Sequence, residues 1–169
     1  MKKGFILLIS GLSGSGKSTI AKKLQCFIPS LYHLEGDEVR EFFGGNLGYG
    51  EGARMESGRR LCFGAHLLSK VGINVVITCT MGTPEIREKM EKLIEFDEIF
   101  MDAKIEHCIK NDPKGIYRLN LKKDQPNLRG VDLPFDPPEN PSLTLYPYKE
   151  TPEKSLDRLK DFLKDRGYI

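Results

Sequence analysis

Nine consecutive residues carry the most specific chemistry in the chain. Gly11, Leu12, Ser13, Gly14, Ser15, Gly16, Lys17 and Ser18 fit the spacing G-x-x-x-x-G-K-[ST], and Thr19 follows them. Glycines so spaced let backbone N–H groups turn inward around phosphate oxygens, where side chains would obstruct them. A lysine after the last glycine reaches the β- and γ-phosphates, the next hydroxyl ligates Mg²⁺, and a helix N-terminus adds partial positive charge. The pattern implies ATP and Mg²⁺, with Lys17 as a catalytic cation and Ser18 as a metal ligand. A glycine-rich turn without a ligand is the alternative, and only the flanking elements can decide between them. A GTPase would add an N-K-x-D guanine signature, and the sequence has none.

The flanks are of the required kind. Residues 5–9 form a short apolar run that reads as a buried parallel strand, and residues 17–27 read as a helix ending before Pro29. Strand and helix signals then alternate: strands at 32–34, 73–78, 98–101 and 143–146, and helices at 55–71, 84–96, 103–109 and 152–166. Such alternation predicts a three-layer α/β fold. Its sheet is five-stranded and mostly parallel, has helices on both faces, and binds ligands at the strands' carboxyl ends. Residues 111–141 break the pattern. They hold six prolines, among them Pro113, Pro126 and Pro141, interspersed with Lys114, Arg118, Lys122, Lys123 and Arg129. A stretch of this kind reads as a long functional loop or a lid over the site.

Composition narrows the function classes. With 169 residues, 39% of them hydrophobic and 30% charged, the chain fits one domain over 1–169. A net charge of +2, without a basic cluster interleaved with aromatics, gives no ground for a nucleic-acid partner. Cys26, Cys62, Cys79 and Cys108 never form C-x-x-C, which points to reduced thiols and a cytoplasmic protein. Lys2 and Lys3 before the apolar run resemble the start of a signal peptide, but the run is too short to span a membrane. His33, His66 and His107 stand apart, without ligand spacing.

Further segments resemble the adenylylsulfate (APS) kinase family. Leu34-Glu35-Gly36-Asp37-Glu38-Val39-Arg40 is similar to its L-D-G-D-N-V-R, and Leu47-Gly48-Tyr49 with Arg54, Glu56, Arg59 and Arg60 to its L-G-F-S-P-E-D-R-E-E-N-I-R-R. Asp112-Pro113-Lys114-Gly115-Ile116-Tyr117 resembles D-P-K-G-L-Y, Gly130-Val131-Asp132 resembles G-I-D, and Pro138-Glu139-Asn140-Pro141 matches P-E-N-P. The resemblance implies phosphoryl transfer from ATP to the 3′-hydroxyl of a small nucleotide acceptor. It implies Asp37 as the carboxylate beside that hydroxyl and the Mg²⁺ shell, though Asp37 could instead cap the following turn. Arg40 and Arg54 match arginines that hold the acceptor's anionic 5′ group. Asp102 falls where a Walker-B-like carboxylate would sit, or where it caps the next helix. Lys114 and Arg118 belong to the implied lid. The family's dimers suggest a homodimer face on the 55–71 helix, which the residues leave open.

The departures from the family gather on the acceptor side. The first of two aromatic positions that sandwich the acceptor base is Tyr49; the second is Leu128, with Arg129 next to it in place of Thr. The asparagine of R-E-E-N is Ser57, the S-P-Y segment becomes Met81-Gly82-Thr83, and the arginine before D-P-K-G is Asn111. Losing one stacking face weakens an adenine by about 0.5–1.5 kcal/mol and matters less for a pyrimidine, which Arg129 could engage from its edge. Short family members that phosphorylate cytidine diphosphoramidate for capsule biosynthesis are similar in length and in these segments. A cytidine conjugate is therefore the expected acceptor. APS itself is the alternative, and a non-catalytic nucleotide-binding module is a third.

Overall fold

The computed structural model describes residues 2–44, 47–122 and 127–169. In it the chain runs β1 (Ile6–Ser10), α1 (Lys17–Phe27), β2 (Leu31–Glu35), α2 (Gly36–Phe42), α3 (Glu51–Lys70), β3 (Asn74–Cys79), α4 (Pro84–Glu91), β4 (Asp97–Met101), α5 (Ile105–Lys110), α6 (Ile116–Leu121), β5 (Leu143–Leu145) and α7 (Pro152–Asp165). The strands form one sheet in the order β2-β3-β1-β4-β5, and every pairing is parallel. Parallel neighbours need crossover connections, and the helices that supply them cover both faces. That is why β1 is buried at every position. Alternate residues serve opposite layers. Leu7 and Ile9 pack with Ile20 and Leu24 of α1 and with Leu159 and Leu163 of α7, whereas Ile6 and Leu8 pack with Leu61 and Ala65 of α3 and with Ile86 and Met90 of α4. The architecture is the expected three-layer α/β fold.

Strand order places the site. β1 lies between β3 and β4, so the loops leaving these strands diverge and open a crevice at their carboxyl ends. Two buried acidic residues at the start of β4 brace the scaffold on opposite faces. Asp97 accepts hydrogen bonds from Ser142 Oγ (2.8 Å), Arg166 (2.7 Å) and the Tyr168 hydroxyl (2.7 Å), which fastens the end of the chain after α7. Glu98 accepts from Ser10 and from Arg87 Nε (3.3 Å), and Arg87 also donates to the Met81 carbonyl (2.5 Å). The β3–α4 loop, one wall of the crevice, is thereby tied to the core.

Two short helices go beyond the expected elements. α2 occupies 7 residues after β2, and α6 occupies 6 residues inside the lid stretch. Neither is long enough for apolar periodicity to register. α3 begins at Glu51, four residues before its apolar pattern does, and α4 stops at Glu91, short of 96. Lys123 and Pro126 of the lid stretch lie outside the described residues. Among those described, no helix is long and apolar enough to cross a membrane.

Candidate active site

The turn from β1 to α1 is shaped by its glycines. At Gly11 (φ 140°) a Cβ would stand 2.8 Å from the Met101 carbonyl oxygen. At Gly14 (φ 73°) it would stand 2.6 Å from that of Cys108. Both positions exclude side chains on two grounds, the left-handed backbone and the lack of space. Ser15 Oγ is buried in this loop with no hydrogen-bond partner among the described residues. An unpaired buried hydroxyl is costly unless a ligand supplies its acceptor. Together with the free N–H groups at the start of α1, it fits a phosphate group.

Lys17 turns its ammonium inward, donating to the carbonyls of Gly11 (2.9 Å) and Leu12 (2.6 Å). Burial pushes its pKa down to about 8, a shift only partly offset by Cys79, Cys108 and Asp37. Ser18 Oγ donates to Glu35 Oε1 (2.6 Å) at the end of β2. That hydrogen bond is the main reason the Glu35 carboxyl lies below the usual range, and Lys114 assists it. Lys114 reaches from the lid stretch to pair with Asp37 and lies 3.5 Å from Glu35. Burial works against its charge, yet the hydrogen bond and charge of Asp37, with Glu35, hold its pKa above the ordinary value. Ser18, Glu35 and Asp37 form a set of hard oxygen donors suited to Mg²⁺.

Arg40, Tyr49 and Arg54 line the other end of the same cleft. Arg40 donates to the carbonyl of Gly48 (3.0 Å), and Arg54 to those of Tyr49 (2.9 Å) and Asn127 (2.8 Å). Their guanidinium carbons lie 5.2 and 5.9 Å from the centre of the Tyr49 ring. Ser57 and Leu128 also line the cleft. Its volume is about 1390 Å³, more than one small ligand needs and enough for donor and acceptor together.

Two placements differ from expectation. Arg129 is not on the cleft wall: it is 2% exposed, and its guanidinium is engaged by Glu51 and by the Pro134 carbonyl (2.7 Å). It is therefore not placed to meet an acceptor's edge. Asp102 does not line the cleft either, and α5 begins after Lys104 without a side-chain cap. The carboxylate beside Ser18 is Glu35 instead. It was legible only as part of the L-E-G-D match, because nothing in its spacing tells which strand end will face the loop. Arg118 lies on α6 within the lid stretch, in a separate depression shared with Lys114 and Lys122. Cys79 does line the cleft, where burial pushes its thiol up to about 12 and keeps it protonated.

Residues 3–146 match the family described as adenylylsulphate kinase. The chain belongs to the adenylylsulphate kinase family. This kinase is 37% identical to the adenylyl-sulfate kinase of Clostridium acetobutylicum, over 99% of this chain and 87% of that protein. It is 33% identical to the adenylyl-sulfate kinase of Staphylococcus epidermidis over the same shares of each. Its fold superposes with a TM-score of 0.90 on the Mycobacterium tuberculosis APS kinase solved with AMPPNP and APS. The two are 31% identical, covering 97% of this chain and 99% of that one. Membership makes the chain a phosphotransferase that acts on a hydroxyl group.

Proposed function

We propose that this kinase transfers the γ-phosphoryl group of ATP to the 3′-hydroxyl of adenylylsulfate. One observation carries the reading: a single cleft joins the phosphate loop to the wall of Asp37, Arg40, Tyr49 and Arg54. In this reading the loop N–H groups and Lys17 hold the donor phosphates. Ser18 and Glu35, with Asp37 in the outer shell, would hold Mg²⁺, which when bound offsets charge on those phosphates. Asp37 accepts the proton of the attacking hydroxyl or orients water on the metal, and Lys114 fixes its carboxylate. Arg40 and Arg54 meet the acceptor's anionic 5′ group with paired N–H donors, and Tyr49 supplies a face for its base.

The adenylylsulfate reading draws support from relatives of similar length named for that reaction. A cytidine diphosphate conjugate is the second reading. It rests on Leu128, which offers the base an aliphatic contact where the family pattern has an aromatic ring. The relatives described above give it no support. An acceptor panel with MgATP, read as ADP release, separates the two: adenylylsulfate should stimulate release, and stimulation by the cytidine conjugate alone would reverse the assignment. Asp37→Ala should remove stimulation while MgATP still binds. MgATP binding by the wild-type protein with no acceptor stimulating ADP release would favour a non-catalytic nucleotide-binding module.

The apolar side chains on the outer face of α3 support a homodimer. The need for ATP is in keeping with the cytoplasm.

A further inference from the structure

Arg129 is the most deeply buried charged side chain among the described residues, and the chemistry above gives it no task. Its Nη2 donates to Glu51 and its Nη1 to the Pro134 carbonyl, and its Nε lies against Gly82, where a Cβ would stand 2.4 Å away. Three segments meet at this cation: the first turn of α3, the β3–α4 loop, and the exit of the lid stretch. Each also supplies the acceptor end of the cleft, through Tyr49, Arg54 and Ser57, through Met81, and through Asn127 and Leu128.

A second crosslink runs beside the first. Arg54, three residues after Glu51 on α3, donates to the Asn127 carbonyl (2.8 Å). Asn127 is the one non-glycine among the described residues with a left-handed backbone (φ 69°). Such a conformation persists where its surroundings over-determine it. The β3–α4 loop closes the triangle, since the Asp136 N–H donates to the Gly82 carbonyl (3.0 Å). A buried guanidinium is expensive unless its hydrogen bonds are used. Here Nη1 and Nη2 are spent on holding separate segments together, while Nε, which has no partner among the described residues, occupies the room that the absent side chain of Gly82 leaves.

We propose that Arg129, through Glu51, is a positioning residue for the acceptor. It clasps the start of α3 to the lid exit and so sets the distance between the Tyr49–Arg54 wall and the Leu128 wall. The proposal rests on the reading that the acceptor binds between these walls.

Two substitutions separate positioning from simple charge. Glu51→Gln makes the acceptor end more positive, and Arg129→Met makes it more negative. Acting through space on an anionic acceptor, they would shift its KM in opposite directions. Acting through a loosened clasp, both raise the KM for adenylylsulfate, by roughly fivefold or more, and leave the KM for MgATP in place. Opposite shifts, no shift, or an equal rise for MgATP would overturn the proposal. Glu51 has a side chain 57% exposed, so its variant keeps a folded form even if Arg129→Met does not.

Amide hydrogen exchange supplies an arm that needs no substrate. Peptides covering 127–136 and 50–56 should exchange faster in Glu51→Gln while β1 stays protected, and unchanged exchange over 127–136 would overturn the clasp. If the wild-type enzyme releases no ADP with adenylylsulfate, the functional reading falls and the exchange arm alone decides the clasp.

Discussion

Lys17 is asked to be a cation in a place that disfavours one. Its ammonium is turned into the loop and satisfied by two carbonyls, and burial brings its pKa to about 8. Triphosphate oxygens replace those carbonyls with full negative charge and restore the preference for the protonated form. Nucleotide binding above pH 8 must therefore take up a proton, and affinity for MgATP should fall as pH rises through that value. Calorimetric titrations at pH 8.5 in two buffers of different ionisation enthalpy should give different apparent heats, with proton uptake as the sign. Equal heats would show that Lys17 is already protonated. Folding responds the other way. Between about 8 and the ordinary value of 10.5 the unfolded chain binds more protons at this residue than the folded one, so its contribution to stability rises with pH across that window.

At the scale of elements, the lid helix α6 is held by contacts that its own sequence does not advertise. Asp112 accepts from the N–H groups of Ile116 (2.8 Å) and Tyr117 (3.0 Å), which starts the helix. The Tyr117 hydroxyl then donates to the Ser13 carbonyl (2.9 Å), which ties the helix to the phosphate loop. Tyr117→Phe keeps the packing and removes that tie. It should cost about 1 kcal/mol of loop pre-organisation, read as a rise of roughly fivefold in the Kd for MgATP. An unchanged Kd would mean that the loop holds its shape unaided. This contact also shows where sequence reading ends. The loop from Gly11 to Thr19 was legible because close backbone approach permits few residue types, and the strands were legible because burial on both faces demands apolar runs. Arg129 was misplaced because a charged residue near a binding segment gives no sign of whether it faces the ligand or the core. Its partner Glu51 lies 78 residues away. Glu35 went unassigned for the same reason: only the folded sheet brings the end of β2 against Ser18.

For the whole molecule, the question is what the outer face of α3 is for. Its inner face is accounted for: Leu61, Cys62 and Ala65 enter the core, and a Cβ on Gly58 would come within 3.1 Å of the Met90 sulfur. The opposite face carries Phe63, Leu67 and, just past the helix end, Val71. These side chains are spaced four residues apart and are 66%, 48% and 55% exposed. Successive positions at this spacing fall on one stripe of a helix. Elsewhere, Phe42 on α2 is also exposed, at 84%. Single exposed apolar residues are ordinary, but an aligned row of large ones marks a contact surface. A second copy of the chain, offering the same stripe across a two-fold axis, would cover it without a charged partner. Light scattering should then give twice the mass of one chain at micromolar concentration, and Phe63→Glu or Leu67→Glu should give the mass of one. The start of α3 carries Arg54 and Ser57 on the cleft side. Losing the partner should therefore raise the KM for the acceptor more than that for MgATP. A wild-type protein that runs as a single chain at every concentration tested would remove the dimer and leave the stripe to another partner.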